Sequence, residues 1–203
     1  MQTRGVVVTC AGMFVVMLGL VLSAADKDKD KDGQNNNKAE RARIDQGLEI
    51  APVPLALLGA DRDLVGLGSY LVNAVGGCND CHTWPNYVHG SDPFTGVPKQ
   101  VNTTHYLAGG RDFGPFFSRN LTRVPEDHSF EDFVQIMRQG LDLHSRHLEI
   151  SPLLQVMPWP VYQDMTDHDL RAIYEYLTVI PDASRCASVG PLSETQTDPT
   201  CVP

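Results

Sequence analysis

The sequence predicts an all-α domain in which three helices and long connections are organised by a bound cofactor. Three segments carry apolar residues at helical spacing. The connections between them, residues 83–128 and 141–165, are rich in Gly, Pro and Asn. Loops of this length are uncommon in a compact domain unless something else orders them, and a large apolar cofactor would do so. A cysteine pair with an adjacent histidine, CNDCH at 78–82, directly follows the first predicted helix.

The composition allows one folded domain and argues against a nucleic-acid partner. The chain has 203 residues, of which 42% are hydrophobic, enough for one core with spare segments. The formal net charge of -9 cannot neutralise a phosphate backbone. An acidic surface instead suits a protein that meets a basic patch on its partner.

The N-terminal segment predicts export. Arg4 precedes an uncharged run over 5–25 that ends in small residues, as in a secretory signal peptide. The run has 21 residues, which is also long enough to span a bilayer at about 1.5 Å per residue. Residues 1–25 are therefore either a cleaved signal or an anchor in the inner membrane. Either interpretation places the rest of the chain in the periplasm or outside the cell.

The rest of the chain divides into three predicted segments. Alternating charges and then amides begin at Asp26, so residues 26–60 are predicted to be a disordered charged linker and the approach to the fold. The folded domain is predicted over 61–182, with a C-terminal extension over 183–203.

The first helix is predicted from about Arg62 to Val75. It ends at Gly76 and Gly77, where glycine permits a left-handed backbone. Its apolar residues fall on one face: Leu64, Leu67, Leu71 and Val75.

Capping patterns predict where the other two helices begin. SFED starts the second helix at Ser129, and Gly140 ends it. TDHD starts the third helix at Thr166, and Pro181 follows its end.

The CNDCH motif has three possible interpretations. A zinc site needs two more ligands, and Cys186 and Cys201 are too far apart to form a second knuckle. A redox dithiol is expected between a strand and a helix, but here a helix precedes and a Pro-containing loop follows. In the third, Cys78 and Cys81 add to the vinyl groups of a haem and His82 supplies an axial nitrogen. Context favours haem, since thioether bonds also explain an exported thiol pair that forms no disulfide.

A second axial ligand is then expected, and Met157 is the candidate. Met137 lies on an apolar helical stripe and Met165 directly precedes a helix cap, so both are predicted to pack in the core. Pro158 and Pro160 stiffen the segment after Met157, which lets it present a thioether at little entropic cost. The alternative is that Met157 merely fills a gap in the core. The other histidines are predicted to be surface residues: His89, His105, His128, His144, His147 and His168.

Four segments resemble the class I c-type cytochromes, closest to bacterial periplasmic monohaem domains and to those in cytochrome subunits of alcohol and aldehyde dehydrogenases. They are LVGLGSYLVNAVGGCNDCHT, YLAGG, SRNLT and MPWPVYQDMTDHDLRAIYEYLTVIP. The resemblance covers residues 61–181. It implies a cytochrome c fold around one covalent haem c, with Cys78 and Cys81 as the thioether cysteines, His82 as the proximal ligand and Met157 as the distal ligand.

The resemblance also implies how the terminal helices cross and which side chains approach the haem. A small residue of the first helix meets an aromatic residue of the last, with the implied partners Gly68, Tyr70, Tyr174 and Leu177. Asn120 and Arg111 match positions that satisfy haem propionates or neighbouring backbone. A surface role is the alternative for Arg111.

Two features depart from the family pattern. The dehydrogenase subunits usually carry three haem motifs, whereas this chain has one. Residues 184–203 have no recognised counterpart. A bridge between Cys186 and Cys201 there would stabilise the fold by about 3 kcal/mol, and the alternative is two unpaired thiols, which export disfavours.

The expected function is electron transfer. Ligation by His82 and Met157 leaves no open position at iron, so no catalytic residue is predicted and an electron carrier is favoured. Its expected partners are a dehydrogenase and an oxidase or membrane complex. Two alternatives stay open: a fixed cytochrome subunit of a membrane-bound dehydrogenase, and a haem peroxidase-type enzyme, which would require Met157 to be absent or labile.

Overall fold

The computed structural model describes residues 35–143 and 151–183. Within these ranges the regular structure is helical, with isolated β-bridges only, so the predicted all-α class is confirmed. None of the helices in the same ranges is long and apolar enough to cross a bilayer. Several predictions fall outside the described residues: those on the segment 1–25, His144, His147, Cys186 and Cys201.

The folded structure begins earlier than the sequence predicted. A helix, α1, spans 35–50, and Ile44 and Val53 are buried in the core, so residues 35–60 are not a disordered linker. From Arg43 onward these residues belong to one compact unit with the rest of the described chain. The first residues of α1 are charged or amide side chains and show no apolar periodicity. The buried apolar face of the helix begins only at Ile44, so the sequence pattern did not predict the helix.

Helix α1 packs closely on the first predicted helix because glycines meet at the contact. A Cβ atom on Gly47 would lie 1.9 Å from the carbonyl oxygen of Gly66. The Ser69 hydroxyl donates to the Gly47 carbonyl at 2.6 Å in the same contact. Backbone therefore touches backbone here, which a period-based search for amphipathic helices does not detect.

The first predicted helix is confirmed in extent, but it changes type part-way. Asp61 caps α2 (Arg62–Tyr70), and a π-helical turn (Leu71–Val75) continues it to Gly76. The wider turn rotates the last residues off the predicted face, because π-helical turns contain an extra residue. Val75 is accordingly 63% exposed rather than part of the core.

The other two predicted helices are also confirmed. Ser129 forms a complete capping box with Asp132, and Gly140 ends that helix with a φ of +66°. The Thr166 side chain accepts from the backbone N–H of Asp169 at the start of the last helix. The helices after α2 are α3 (Cys78–His82), α4 (Val124–Asp127), α5 (Phe130–Gln139) and α6 (Asp167–Val179).

Helices α2 and α6 make an extensive contact. Gly68 lies at its centre, where a Cβ atom would be 1.9 Å from the Ala172 carbonyl oxygen and 2.8 Å from Cβ of Tyr176. The predicted small-residue crossing is present, and Leu177 is buried beside it. The aromatic partner is Tyr176, however, and not the predicted Tyr174.

Tyr174 packs on the other side of α6. Its ring lies 5.6 Å from that of Phe130 and 5.7 Å from that of Phe133, both on α5. Its hydroxyl donates to the His128 carbonyl at 2.9 Å. Two tyrosines two residues apart on one helix thus point to different neighbours, and the sequence pattern did not distinguish them.

Candidate haem site

The cysteine motif forms a single helical turn immediately after a reversal of the chain. Gly77 adopts a left-handed conformation with a φ of +59°, and the backbone N–H of Asp80 donates to its carbonyl at 2.9 Å. Residues Cys78–His82 are α3. In one helical turn, two thiols three residues apart lie on the same face of the helix. The imidazole follows directly after the second thiol in the sequence.

The tautomer of His82 is set by a backbone carbonyl. Nδ1 of His82 lies 2.8 Å from the Arg119 carbonyl oxygen, which can only accept a hydrogen bond. Nδ1 therefore carries the proton, and the lone pair of Nε2 is left for a metal. Burial lowers the pKa of His82, and the bond to Arg119 partly opposes that shift. Metal-binding histidines commonly donate their other ring N–H in this way.

A glycine lets the Arg119 segment reach His82. Gly109 has a φ of +75°, and a Cβ atom there would lie 2.5 Å from the Ser118 carbonyl oxygen. Its backbone N–H donates to the His82 carbonyl at 2.6 Å. Sequence reasoning missed both Gly109 and Arg119 as parts of this site, although YLAGG and SRNLT contained them.

The Cys78 thiol does not have the character of a reactive redox thiol. Neither Cys78 nor Cys81 forms a disulfide, and Cys78 packs against the core. Burial raises the pKa of Cys78 to about 12, with smaller contributions from Cys81 and Asp80. A reactive dithiol needs a lowered thiol pKa. The structure therefore disfavours the dithiol interpretation for this motif.

Met157 lies in a stiff segment that packs on the same core as Cys78. Its side chain is partly buried, and Met137 is buried as predicted. A 3-10 turn (Trp159–Val161) follows it, and the Trp159 N–H donates to the Met157 carbonyl at 2.8 Å. Trp159 in turn packs on Gly140, where a Cβ atom would be 2.4 Å from the indole.

The Arg111 side chain contacts the cysteine motif and two aromatic rings. Its guanidinium lies 5.4 Å from the ring centre of Trp84 and 5.5 Å from that of Phe113, and it donates to the carbonyl oxygen of Asp80. Asn120 donates to the Ala183 carbonyl at 2.8 Å. Both side chains therefore donate to backbone carbonyls. The resemblance implied contacts with either haem propionates or neighbouring backbone, and these contacts are of the second kind.

The remaining histidines divide between surface and core. His89 and His168 are exposed, as predicted, whereas the surface prediction for His105 is wrong because its side chain is only 5% exposed. Over 35–143 and 151–183 there is no group of three or more His, Cys, Asp or Glu residues placed to hold a metal ion.

Side-chain hydrogen bonds connect the π-helical turn before the cysteine motif to two buried tyrosines. The Tyr106 hydroxyl donates to Oδ1 of Asn73 at 2.6 Å and lies 3.0 Å from the Tyr176 hydroxyl. The Asn73 amide donates to the Ser69 carbonyl at 3.0 Å. Burial raises the pKa of both tyrosines, so their hydroxyls stay protonated. Asn73 lies in the π-helical turn, which the sequence pattern did not predict.

Curated relatives match the part of the chain that contains this site. The gluconate 2-dehydrogenase cytochrome c subunit of Pantoea cypripedii is 31% identical over 121 residues, or 58% of this chain and 23% of the relative. The fructose dehydrogenase cytochrome subunit of Gluconobacter japonicus is 29% identical over 118 residues, or 56% and 21%. The chain is similar to dehydrogenase cytochrome c subunits. The resemblance predicted from the sequence is thereby confirmed.

The similarity is limited to part of each relative. A nicotinate dehydrogenase subunit of Pseudomonas putida is 31% identical over 133 residues, which are 64% of this chain but 10% of that protein. The chain thus spans between about a tenth and a quarter of the length of these relatives. No family model and no solved structure matches it. Similarity to cytochrome c subunits implies haem binding, and two thiols followed by an imidazole are the donors with which a c-type haem is attached. A methionine sulfur is one of the further ligands that haem iron accepts.

Proposed function

We propose that this chain is a single-haem electron carrier of a dehydrogenase-linked chain in the periplasm. Cys78 and Cys81 would form the thioether bonds of one covalent haem c, with His82 and Met157 as axial ligands. The observation that carries the proposal is the 2.8 Å bond from Nδ1 of His82 to the Arg119 carbonyl, which leaves Nε2 free for iron.

The ligand set favours a carrier over a catalyst. A bound haem supplies a one-electron iron couple, and a methionine ligand raises its reduction potential. His82 and Met157 together would occupy both axial positions, leaving none for a substrate. The chain itself would hold the ring rigidly and limit its contact with water, which is the usual contribution of a protein to cofactor chemistry.

The partner proposed for electron donation is an exported dehydrogenase, with an oxidase or membrane complex as acceptor. The names of the relatives, subunits of gluconate and fructose dehydrogenases, support this class of donor. A fixed subunit of such a complex is the second candidate, supported by the same names. Co-purification with a dehydrogenase from the membrane fraction would favour the subunit, and recovery of the free protein from the periplasm would favour the carrier.

The ligand assignment is tested on protein expressed with the haem-maturation machinery. Mass spectrometry should find one haem per chain, and the oxidised protein should show the near-infrared band of methionine sulfur bound to iron. His82→Ala should abolish the low-spin spectrum, whereas Met157→Ala should give a high-spin form that binds added ligands. Met137→Leu, a buried methionine in the same core, is the control and should leave the spectrum unchanged.

Two outcomes would contradict these assignments. An unchanged spectrum in Met157→Ala would exclude Met157 as the distal ligand. Tight cyanide binding and peroxide turnover by the wild-type protein would favour a peroxidase-type enzyme, because both need an accessible position at iron.

A further inference from the structure

The segment that carries Met157 is joined directly to the cysteine motif by one side-chain hydrogen bond. The Tyr162 hydroxyl donates to the Gly76 carbonyl at 3.1 Å, across 86 residues of sequence. Gly76 is two residues before Cys78, and Tyr162 is five residues after Met157. The bond therefore connects the segment of the proposed distal ligand with the segment that leads into the proposed thioether cysteines and His82.

The chain between Met157 and Tyr162 is stiff enough to transmit this constraint. Backbone hydrogen bonds close successive turns, from the Trp159 N–H to the Met157 carbonyl at 2.8 Å and from the Tyr162 N–H to the Trp159 carbonyl at 2.8 Å. Pro158 and Pro160 fix their own φ angles in the same stretch. A displacement of the tyrosine ring would consequently move the methionine as well.

The accepting peptide is also held in place. The Gly76 N–H donates to the Leu71 carbonyl at 2.7 Å, closing the π-helical turn. Gly77 then reverses the chain with a positive φ. We call residues 76–82 the attachment turn and residues 157–162 the distal segment. The Gly76 carbonyl is a fixed point of the attachment turn, and the distal segment can be positioned against it.

The Tyr162 hydroxyl is part-buried where it meets the Gly76 carbonyl. Burial raises the pKa of Tyr162. The hydroxyl accordingly stays protonated and remains a donor near neutral pH.

We propose that Tyr162 is a positioning residue for the distal ligand, setting where Met157 lies relative to the attachment turn. The proposal rests on the function proposed above. Without the hydroxyl, the distal segment keeps its packing on Gly140 but loses its tie to Gly76. The fraction of protein in which methionine has left the iron should then rise, without a change in the ligand itself.

Tyr162→Phe tests the proposal in the oxidised, haem-loaded protein. Imidazole binds only when methionine has left, so its apparent affinity follows the population of that state. We expect the affinity to rise about fivefold, equivalent to about 1 kcal/mol at 1.4 kcal/mol per tenfold. The near-infrared methionine band should be retained in the absence of imidazole and should disappear at a lower temperature than in wild type.

Tyr174→Phe is the matched control. Tyr174 also donates from a part-buried hydroxyl to a backbone carbonyl, that of His128 at 2.9 Å, but on the α5 side of α6. A purely structural role for Tyr162 predicts equal effects of the two variants on unfolding and on imidazole affinity. We expect similar losses of stability but a rise in imidazole affinity for Tyr162→Phe alone.

The outcomes separate this proposal from the ligand assignment. If the wild-type protein shows the methionine band but Tyr162→Phe leaves imidazole affinity unchanged, or Tyr174→Phe raises it equally, the positioning role is wrong and the ligands stand. If wild-type protein lacks the band, the assignment of Met157 is wrong, and the role of Tyr162 is overturned with it.

Discussion

Gly68→Ala tests how closely the backbones of α2 and α6 approach each other. Gly68 lies ten residues before Cys78, and its Cα faces the Ala172 carbonyl. An added Cβ would lie 1.9 Å from that oxygen, whereas ordinary contact begins at 3.4 Å. The helices must therefore separate by about 1.5 Å, since a backbone oxygen cannot rotate away as a side chain can.

The expected loss of stability follows from two opposing effects. Glycine to alanine in an open helix interior would stabilise by about 1 kcal/mol. Overpacking costs about 1–3 kcal/mol and sometimes more, and a clash with a helix backbone belongs at the upper end. We therefore expect Gly68→Ala to lower the free energy of unfolding by about 2 kcal/mol, a substantial part of the 5–15 kcal/mol of an ordinary domain.

The measurement is denaturant unfolding of the haem-loaded protein, followed by circular dichroism and haem absorbance. Gly59→Ala is the control, because its added methyl group meets no atom within 4 Å. The positive φ of +82° at Gly59 should cost only about 1 kcal/mol. A gain in stability for Gly68→Ala, or a loss no greater than that of Gly59→Ala, would refute the close contact between the helices.

Three further variants test other contacts. Gly140→Ala should displace the Trp159 indole, which a Cβ atom would approach to 2.4 Å, and should weaken the methionine band on heating. Ser129→Ala should lower the free energy of unfolding by about 1 kcal/mol through loss of the α5 cap, as denaturant titration would show. Tyr106→Phe should lower the free energy of unfolding by about 1 kcal/mol in the same assay, because Oδ1 of Asn73 loses its 2.6 Å donor in a part-buried site.

The parts of the fold that depend on local chemistry could be predicted from the sequence. Ser129, Gly140 and Thr166 mark helix ends because caps and left-handed glycines act within one turn of the chain. The cysteine motif is equally local, since its two thiols and its imidazole belong to five consecutive residues. The apolar periodicity assumes 3.6 residues per turn, and this assumption does not hold in the π-helical turn. The prediction that Val75 lies on the buried face was wrong for that reason.

The parts that depend on close approach of backbones could not be predicted. Gly47, Gly68 and Gly109 allow contacts in which the partner is a carbonyl oxygen, and a carbonyl leaves no signature in the sequence. The same limit applies to Arg119, whose backbone and not its side chain orients His82. Residue type can indicate that a glycine is needed, but only the fold shows what it approaches.

The two proposed iron ligands illustrate how local and distant information combine in one site. His82 is identified by its neighbours in sequence, but its ring is held by a carbonyl 37 residues away. Met157 follows His82 by 75 residues, and the stiffness of its segment is local because prolines supply it. Stiffness alone does not place a ligand. The hydrogen bond from Tyr162 to Gly76 is proposed to position the segment that carries Met157. Tyr162→Phe should therefore change ligand binding at the iron, although it alters neither proposed ligand.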